Sequence, residues 1–358
     1  MADKIGSQKI KKRKSVKILV LMGGDSPERD VSLVSGKAIA EGLKQAGHQV
    51  LAIDTADSWR ALPTKPRSLS YKIKAEPPHI KELNRLDSAK ALKSFESSEL
   101  RDVEVIFIAL HGGKGEDGTI QALLDLTGKP YTGSGVLASA LAMNKHMSKK
   151  IFQKEGILTP GWAFWDLHNK NRGQELATVA EEIGYPLVIK PNNQGSTVGV
   201  SVIEKPNQLG EAVKIANEFS HQIIIEEFIP GREITVAILD DKPLPVVEIV
   251  PEHGIYDYEC KYTTGKSKYI CPAELTPKQT KEVQQAGLKA FQALGCEGYA
   301  RVDFRMSPDG KFYCLEVNTL PGMTEHSLVP KAARAAGISF SQLTDRIVQL
   351  SLKRGKQS

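Results

Sequence analysis

The sequence predicts an α/β protein with a parallel sheet in its N-terminal part and an α+β arrangement in its C-terminal part. Three observations support this fold class. An apolar strand, a glycine loop, a helix and a second strand follow one another between residues 16 and 54. Helices and strands alternate again between residues 173 and 226, and the region after residue 226 is rich in strands. No repeat of roughly 20 to 50 residues occurs, so a solenoid is not expected.

The first unit is expected to start a parallel sheet. Its first strand, 16–22, leads through the loop Gly23-Gly24-Asp25-Ser26-Pro27-Glu28 into a helix over 31–43 and a strand over 49–54. A further buried strand is expected at 103–110, and it ends at His111-Gly112-Gly113. Open α/β sheets bind ligands beyond the carboxyl ends of their strands, where both glycine loops are expected to lie.

The remaining elements extend this pattern into two more units. A helix at 119–126 and a turn at 130–135 close the first unit, and a helix over 137–154 follows. The second unit contains helix 173–183, strand 187–190, loop 195–199, strand 200–203, helix 209–219 and strand 223–226. We therefore expect a disordered basic leader at 1–15, an N-terminal domain at 16–135, a central domain at 136–225 and a C-terminal domain at 226–358.

Composition narrows the class of protein. The net charge is +6, but residues 1–17 hold seven Lys or Arg and one acid, which leaves 41 basic and 41 acidic residues in the body. A nucleic-acid surface is therefore not indicated. No signal peptide and no apolar run of the roughly 20 residues needed to span a bilayer is expected. Four scattered cysteines without C-x-x-C spacing favour reduced thiols in the cytoplasm over disulfides or a zinc site.

A predicted hairpin over 299–318 carries candidate metal ligands. The alternating pattern of its first strand places three charged residues on one face: Arg301, Asp303 and Arg305. On its second strand it places Cys314, Glu316 and Asn318 together. With the turn at 307–310 setting the register, Asp303 is expected opposite Cys314 and diagonal to Glu316. Two carboxylates and an amide suit Mg²⁺ better than zinc, and a polar strand face on solvent is the alternative.

The segment from Lys190 to Val200 is a candidate phosphate loop. Lys190 ends an apolar strand, where a buried ammonium needs a partner such as a phosphate oxygen. The following glycine loop offers backbone N–H groups and the Ser196 hydroxyl. The lysine precedes the loop, so the Walker pattern does not match. By itself the segment is equally compatible with an ordinary turn.

Two other segments are candidate nucleotide and lid elements. Carboxylates and apolar groups suited to adenosine lie at the end of an apolar strand: Glu226, Glu227, Phe228, Ile229 and Glu233. The alternative is that these residues are simply the end of a strand at the protein surface. The tyrosine-rich stretch 251–272 is either a surface loop or an active-site lid with Lys261 and Tyr262 turned inward.

Eight motifs together resemble the D-alanine:D-alanine ligases of the ATP-grasp superfamily. In chain order they are GGDSPERDVSLVSG, HGGKGEDG, YTGSGVLASALAMNK, KPNNQGSTVGVS, EEFIPGREITVAIL, YDYECKY, RVDFR and LEVNTLPGMTEHS. The resemblance covers roughly residues 16 to 350. It implies a three-domain ATP-grasp architecture, and an activity that joins two D-alanines through a D-alanyl phosphate for peptidoglycan precursors.

The resemblance also implies roles for individual residues. ATP would bind between the second and third domains, with its phosphates on Lys145, Lys190, Ser196 and Lys261 and its adenosine among Glu226, Glu227, Phe228, Ile229 and Glu233. Two Mg²⁺ or Mn²⁺ ions would be held by Asp303, Glu316 and Asn318. The first D-alanine would meet Glu28 and His111, the second would meet Arg301, Ser327 and Leu328, and Lys261 would contact substrate as well as nucleotide. Arg301 and the Gly322 N–H would stabilise the tetrahedral intermediate, and Glu28, Ser196 and Tyr262 would close the lid.

Three departures from the family pattern leave alternatives open. Thr197 stands where a second serine is common, the stretch 56–102 is long, and Glu325 adds charge near the expected carboxylate of the second substrate. The resemblance implies a homodimer, and the composition leads us to expect a cytoplasmic protein that needs neither membrane nor nucleic acid. A ligase for another amino acid pair and a non-catalytic nucleotide-binding regulator are the alternatives.

Overall fold

The computed structural model describes residues 14–56, 101–169, 176–252 and 265–355. Several predictions therefore fall wholly or largely outside the described residues: the leader, most of the 56–102 stretch, and residues 253–264 of the expected lid with Lys261 and Tyr262. Within the described ranges, no helix is long and apolar enough to cross a membrane.

The N-terminal part forms a parallel three-stranded sheet, as the sequence predicts. Its strands are β1 (Lys17–Met22), β2 (Gln49–Asp54) and β3 (Val105–Ile108), in the order β2-β1-β3, and helix α1 (Arg29–Gln45) connects the first two. β1 lies between two neighbours, and Ile18, Val20 and Leu21 are fully buried. This burial on both faces explains why the strand reads as a continuous apolar run.

The middle of the chain contributes helices and an antiparallel sheet. The helices are α2 (Thr119–Leu126), α3 (Val136–Met143), α4 (Lys145–Lys154), α5 (Leu176–Ile183) and α6 (Leu209–Asn217). The strands are β4 (Trp162–Asp166), β5 (Leu187–Pro191), β6 (Ser201–Ile203) and β7 (Gln222–Glu227), in the order β4-β7-β5-β6. The domain boundaries stay predictions, and the one after residue 225 falls inside β7.

The C-terminal part forms a second antiparallel sheet. Its strands are β8 (Arg232–Leu239), β9 (Lys242–Pro243), β10 (Val247–Pro251), β11 (Ser267–Ile270), β12 (Tyr299–Met306) and β13 (Phe312–Asn318), and its helices are α7 (Pro277–Ala293), α8 (Leu328–Ala335) and α9 (Phe340–Arg354). The strand order is β11-β10-β8-β12-β13, with β9 beside β8. Helices α8 and α9 share one core with β1 and β3, so the end of the chain packs against its beginning.

The predicted helix over 137–154 is two helices in the structure. Asn144 has extended backbone angles, and its side chain accepts a hydrogen bond from the Met147 N–H at 3.1 Å. Asparagine competes for backbone hydrogen bonds in this way, so it ends α3 and caps α4. The break determines where Lys145 lies, because Lys145 becomes the first residue of α4.

The predicted register of the hairpin is wrong, by one residue next to the turn and by two residues at Asp303. Met306 pairs with Phe312 and Phe304 with Cys314, and a bulge between Phe304 and Asp303 then shifts the pairing again, so that Asp303 lies opposite Glu316. The bulge leaves Leu315 as an extra residue and reverses the side-chain alternation. Cys314 therefore faces the hydrophobic core, while Glu316 lies beside Asp303.

The turn between β7 and β8 requires glycine at position 231. Its φ is +120°, and an added Cβ would lie 2.1 Å from the Met306 carbonyl oxygen. We expect Gly231→Ala to lower the free energy of unfolding by about 3 kcal/mol, because both the backbone angle and the close approach exclude a side chain.

The matched control is Gly210→Ala in α6, where nothing lies within 4 Å of an added Cβ. Chemical denaturation should show that this variant changes stability by less than about 1 kcal/mol, in the stabilising direction. Equal midpoints for the two variants would contradict the assignment of strain to Gly231.

Candidate active site

A cleft lies between the four-stranded and six-stranded sheets. Charged side chains from α4, β5, β7, β8, β12 and β13 converge on it, together with apolar groups of the same strands. The predicted site residues that line it are Lys145, Lys190, Glu226, Glu227, Phe228, Ile229, Glu233, Asp303 and Glu316. Residues separated by up to about 170 positions in sequence are therefore brought to one site by the packing of two sheets.

The carboxylate of Glu226 lies buried between two lysines. Its Oε1 is 2.7 Å from Lys190 Nζ, and its Oε2 is 2.6 Å from Lys149 Nζ. Burial alone would raise the pKa of Glu226, but the attraction of the two ammonium groups outweighs it and lowers the pKa below the usual value. The sequence leads us to expect a partner such as a phosphate oxygen beside Lys190; Glu226 is one partner in the structure, and the phosphate contact stays a prediction.

Lys149 is a residue that the sequence analysis missed. It is fully buried, and its Nζ also donates to Thr159 Oγ1 at 2.7 Å. Burial lowers the pKa of this amine, and Glu226 opposes the shift. The only sequence signal is its position four residues after Lys145, which places both on the same side of α4.

The other side of the cleft pairs cations with the candidate metal ligands. Lys145 Nζ lies 3.0 Å from Glu316 Oε2 and donates to the Gln194 carbonyl at 2.6 Å. Arg301 Nη2 lies 2.8 Å from Asp303 Oδ2. Cations and carboxylates therefore alternate across the cleft, which keeps its carboxylates near balancing charge.

Asp303 and Asn318 have further hydrogen bonds that orient them. Thr235 Oγ1 donates to Asp303 Oδ1 at 2.6 Å. Asn318 lies opposite Arg301 in the strand pairing, and its Oδ1 accepts from the Leu320 N–H at 3.1 Å. The oxygen donors of Asp303, Glu316 and Asn318 thus lie on two adjacent strands, an arrangement chemically suited to Mg²⁺.

The loop after β5 contacts the first glycine loop of the chain. The Ser196 hydroxyl donates to Glu28 Oε1. Ser196 and Thr197 have φ values of 49° and 61°, which residues other than glycine rarely adopt. This backbone conformation is strained, so contacts with the surrounding residues must stabilise it. An added Cβ at Gly195 would lie 2.8 Å from Glu28 Oε2, so glycine allows the two loops to approach.

The His111 side chain lies between Ser35 of α1 and Glu116. Its Nε2 is 3.2 Å from Ser35 Oγ, and its Nδ1 is 3.6 Å from Glu116 Oε1. Ser35 Oγ also accepts from the Met323 N–H at 3.3 Å. Ser35, for which no motif of the sequence indicated a role, links the His111 loop to the loop that precedes α8.

The predicted second-substrate residues lie where that loop enters α8. Ser327 is the residue before the helix, and its Oγ accepts from the Thr324 N–H at 3.0 Å. Gly322 is near enough that an added Cβ would lie 3.2 Å from Ser327 Oγ. Leu328 is buried, whereas Glu325 is exposed and only its carbonyl oxygen contacts Arg334.

The opposite end of the cleft is more apolar. Phe228 and Ile229 lie there with Glu233, and Arg305 stands 5.8 Å from the centroid of the Phe228 ring. Arg305 donates to the Ile229 carbonyl at 3.0 Å, and burial lowers its pKa. Arg305 is a lining residue to which the sequence analysis assigned no site role.

Family models and relatives of known function match nearly the whole chain. The family models described as D-ala D-ala ligase N-terminus and D-ala D-ala ligase C-terminus match residues 17–134 and 151–349. A D-alanine–D-alanine ligase of Syntrophotalea carbinolica is 44% identical over 332 residues, which is 93% of this chain and 95% of the relative. The corresponding ligase of Geobacter sulfurreducens is 42% identical over 336 residues, covering 94% of both chains.

Solved structures of ligases also match nearly the whole chain. The D-alanine–D-alanine ligase of Bacillus anthracis complexed with ATP has a TM-score of 0.74 and 32% identity, covering 96% of this chain and 99% of that one. The D-Ala:D-Ser ligase VanG of Enterococcus faecalis also has a TM-score of 0.74, at 30% identity, covering 94% of this chain and 100% of that one. The similarity confirms the predicted α/β fold class with its ATP-grasp architecture.

Proposed function

Since this chain belongs to the D-alanine–D-alanine ligase family, we propose that the cleft and its bordering loops form one active site for ATP and two D-alanine molecules. The chain joins two D-alanines to D-alanyl-D-alanine at the expense of ATP, for peptidoglycan precursor synthesis. The observation that carries the residue assignments is the set of ion pairs in and beside the cleft, which places lysines and an arginine next to carboxylates. This arrangement suits a substrate that is itself a polyanion.

The first step needs a leaving group on a carboxylate, which is a poor electrophile. Transfer of the γ-phosphoryl group to the first D-alanine supplies it as an acylphosphate. Lys145 and Lys190 would contact the phosphates, and Ser196 would donate its hydroxyl from the strained loop. Lys261 would join them from the expected lid. Glu226 would maintain the position of Lys190 through their ion pair.

The adenosine would bind at the apolar end of the cleft. Phe228 and Ile229 would contact the base, and Glu226, Glu227 and Glu233 would surround the nucleoside. Arg305 contacts the Ile229 carbonyl and the Phe228 ring. These contacts support the arrangement, because they stabilise the segment after β7 against which the base would stack.

Asp303, Glu316 and Asn318 fit two Mg²⁺ or Mn²⁺ ions by the chemistry of their oxygen donors. Bound magnesium would neutralise charge that develops on the transferring phosphoryl group. Thr235 would orient Asp303, and Lys145 would balance the charge of Glu316. The number of ions is part of the proposal.

The amino acid sites would lie beside the Glu28–Ser196 contact. Glu28 would accept the ammonium of the first D-alanine, and His111 would lie near its carboxylate. The amine of the second D-alanine would attack the acylphosphate, with phosphate leaving. Arg301 and the Gly322 N–H would stabilise the oxyanion.

The second D-alanine would be held from two sides. Ser327 and Leu328 would contact it at the start of α8, and Arg301 and Lys261 would bind from the cleft and the lid. Tyr262 would complete a hydrogen-bonded set with Glu28 and Ser196 that keeps water from the acylphosphate. We further propose a cytoplasmic homodimer that needs no membrane and no nucleic acid; its support is the family resemblance and the balanced charge of residues 18–358.

A substrate panel tests the assignment. Purified protein is incubated with ATP, Mg²⁺ and D-alanine, alone or with D-serine or D-lactate, and phosphate and coupled product are measured. We expect D-alanyl-D-alanine as the main product. Turnover only with another pair would favour the alternative ligase, and ATP binding without phosphate release would favour the regulator.

The Glu28–Ser196 contact predicts a strong effect of losing one hydroxyl. Ser196→Ala should lower kcat/KM for D-alanine by about 10- to 100-fold, because Glu28 loses the donor that orients it. Steady-state phosphate release measures the effect, and Ser201→Ala on β6 is the control that removes a hydroxyl elsewhere. An unchanged kcat/KM in Ser196→Ala would remove this contact from the mechanism.

Glu325 predicts a small effect. Its side chain is exposed, so water and salt screen the electrostatic interaction between its charge and the second substrate. Glu325→Ser should change the KM for the second D-alanine by less than about twofold. A tenfold lower KM in the variant would instead place Glu325 beside the substrate carboxylate.

A further inference from the structure

A cluster of possible metal ligands lies at the ends of β4 and β7 that are remote from the cleft. Asp166, His168 and His221 each offer a ligand atom, and these three atoms all lie within 4.8 Å of one another. We propose that these residues bind a divalent transition-metal ion of the Zn²⁺ class. This site would be separate from the Mg²⁺ ligands, and the proposal does not rest on the ligase mechanism.

The backbone positions these residues with a defined geometry. Asp166 pairs with Gln222 at the ends of the two antiparallel strands. The ladder continues by one more hydrogen bond, from the Leu167 N–H to the His221 carbonyl at 2.8 Å. His168 follows one residue later, so the strand pairing brings it next to His221 although 53 positions separate them in sequence.

The side chains of the three residues lie close together. The imidazole rings of His168 and His221 are parallel within 3°, with centroids 4.5 Å apart. Asp166 Oδ1 accepts a hydrogen bond from the backbone N–H of His168 at 3.0 Å, and this bond holds the carboxylate beside the rings. A carboxylate and two imidazoles therefore occupy one small region of the surface.

The donor chemistry selects the class of ion. Two imidazole nitrogens and a carboxylate oxygen suit Zn²⁺, Ni²⁺ and Cu²⁺, whereas Mg²⁺ prefers oxygen ligands alone. Bonds of about 2.0–2.1 Å to a tetrahedral ion would bring the ligand atoms to about 3.3 Å from one another. Both histidine side chains are exposed, so rotation about their side-chain bonds can supply this contraction and can turn the stacked rings until both nitrogen lone pairs point at the ion. Water would complete the coordination.

The position in the sheet predicts what the ion would do. Trp162 pairs with Glu226 at the cleft end of these strands, and Asp166 pairs with Gln222 four residues away, a separation of about 13 Å. β4 is an edge strand of its sheet. An ion shared by Asp166, His168 and His221 would tie this edge strand to β7 without touching the residues that line the cleft, and so would stabilise the folded chain.

Calorimetric titration of Zn²⁺ into tag-free full-length protein tests the proposal. Saturating Mg²⁺ is present throughout to compete for the oxygen ligands of the cleft, and nucleotide is left out because free ADP would itself bind Zn²⁺. We expect one equivalent to bind with a dissociation constant of about 10 μM or tighter, and to raise the midpoint of thermal unfolding. His168→Ala/His221→Ala should weaken binding by at least about 50-fold and abolish the thermal shift, and Asp166→Asn should weaken binding by about tenfold.

The control variant is His326→Ala, which removes an exposed imidazole from another loop and should bind Zn²⁺ as the wild type does. Ligase turnover with Mg²⁺ should stay unchanged in His168→Ala/His221→Ala, which also shows that the double variant is folded. Equal Zn²⁺ binding by the wild type and this double variant, or only millimolar binding by the wild type, would overturn the proposal.

Discussion

Replacing Glu316 with glutamine is expected to lower kcat by about a thousandfold or more, which corresponds to roughly 4 kcal/mol of transition-state stabilisation. The two side chains have the same shape, so the change removes one charge and one ligand oxygen. Glu316 lies opposite Asp303 across the bulged pair of strands and 3.0 Å from Lys145. Its loss would remove a proposed metal ligand and leave the Lys145 ammonium without this partner.

The measurement is steady-state phosphate release over a range of Mg²⁺ concentrations. A metal-ligand role predicts that the Mg²⁺ concentration for half-maximal activity also rises. Glu282→Gln on the exposed side of α7 is the control, because it removes the same charge from a carboxylate whose lysine neighbour is 3.8 Å away at the surface. Activity within threefold of the wild type in Glu316→Gln would exclude Glu316 as a metal ligand.

Lys149→Met should have the largest effect on stability, lowering the free energy of unfolding by about 3–5 kcal/mol. Lys149 and Glu226 are both buried, and their charged atoms are 2.6 Å apart. Removing the lysine leaves a buried carboxylate with one cation instead of two. Because Glu226 would then draw on Lys190 alone, we also expect the KM for ATP to rise by about tenfold.

A double variant separates charge from packing. Glu226→Gln combined with Lys149→Met removes the uncompensated carboxylate, so denaturation should show a recovery of about 2 kcal/mol relative to Lys149→Met. The control Lys150→Met alters the adjacent exposed lysine of α4 and should leave stability nearly unchanged. A Lys149→Met variant as stable as the control would show that the buried ion pair contributes little.

Local periodicity predicted much of the hairpin but not its register. The alternation of polar and apolar residues in β12 placed Arg301, Asp303 and Arg305 on one face, and the burial of Val302 and Phe304 on the other agrees with it. The partner strand also alternates in sequence, yet the bulge at Leu315 moves Cys314 to the core. A bulge adds one residue to one strand, and nothing in the local pattern of polar and apolar residues records it.

The buried lysine cluster shows a similar division. Lys190 at the end of an apolar strand led us to expect a partner such as a phosphate oxygen, and the structure adds Glu226, which accepts a hydrogen bond from its ammonium group. The identity of that partner and the participation of Lys149 depend on how α4 packs beside β7. Contacts between residues so far apart in sequence have no local signature.

The amino-acid sequence by itself determined the order of the helices and strands and the glycine loops, and it singled out the proposed oxygen ligands. These features depend on neighbouring residues, through periodicity, capping and turn chemistry. The tertiary structure alone decided that Asp303 pairs with Glu316, that Ser35 links His111 to Met323 and that Asp166, His168 and His221 meet. Each of these results from strand pairing or helix packing across the fold, which places residues together according to the shape of the core and not their separation in the chain.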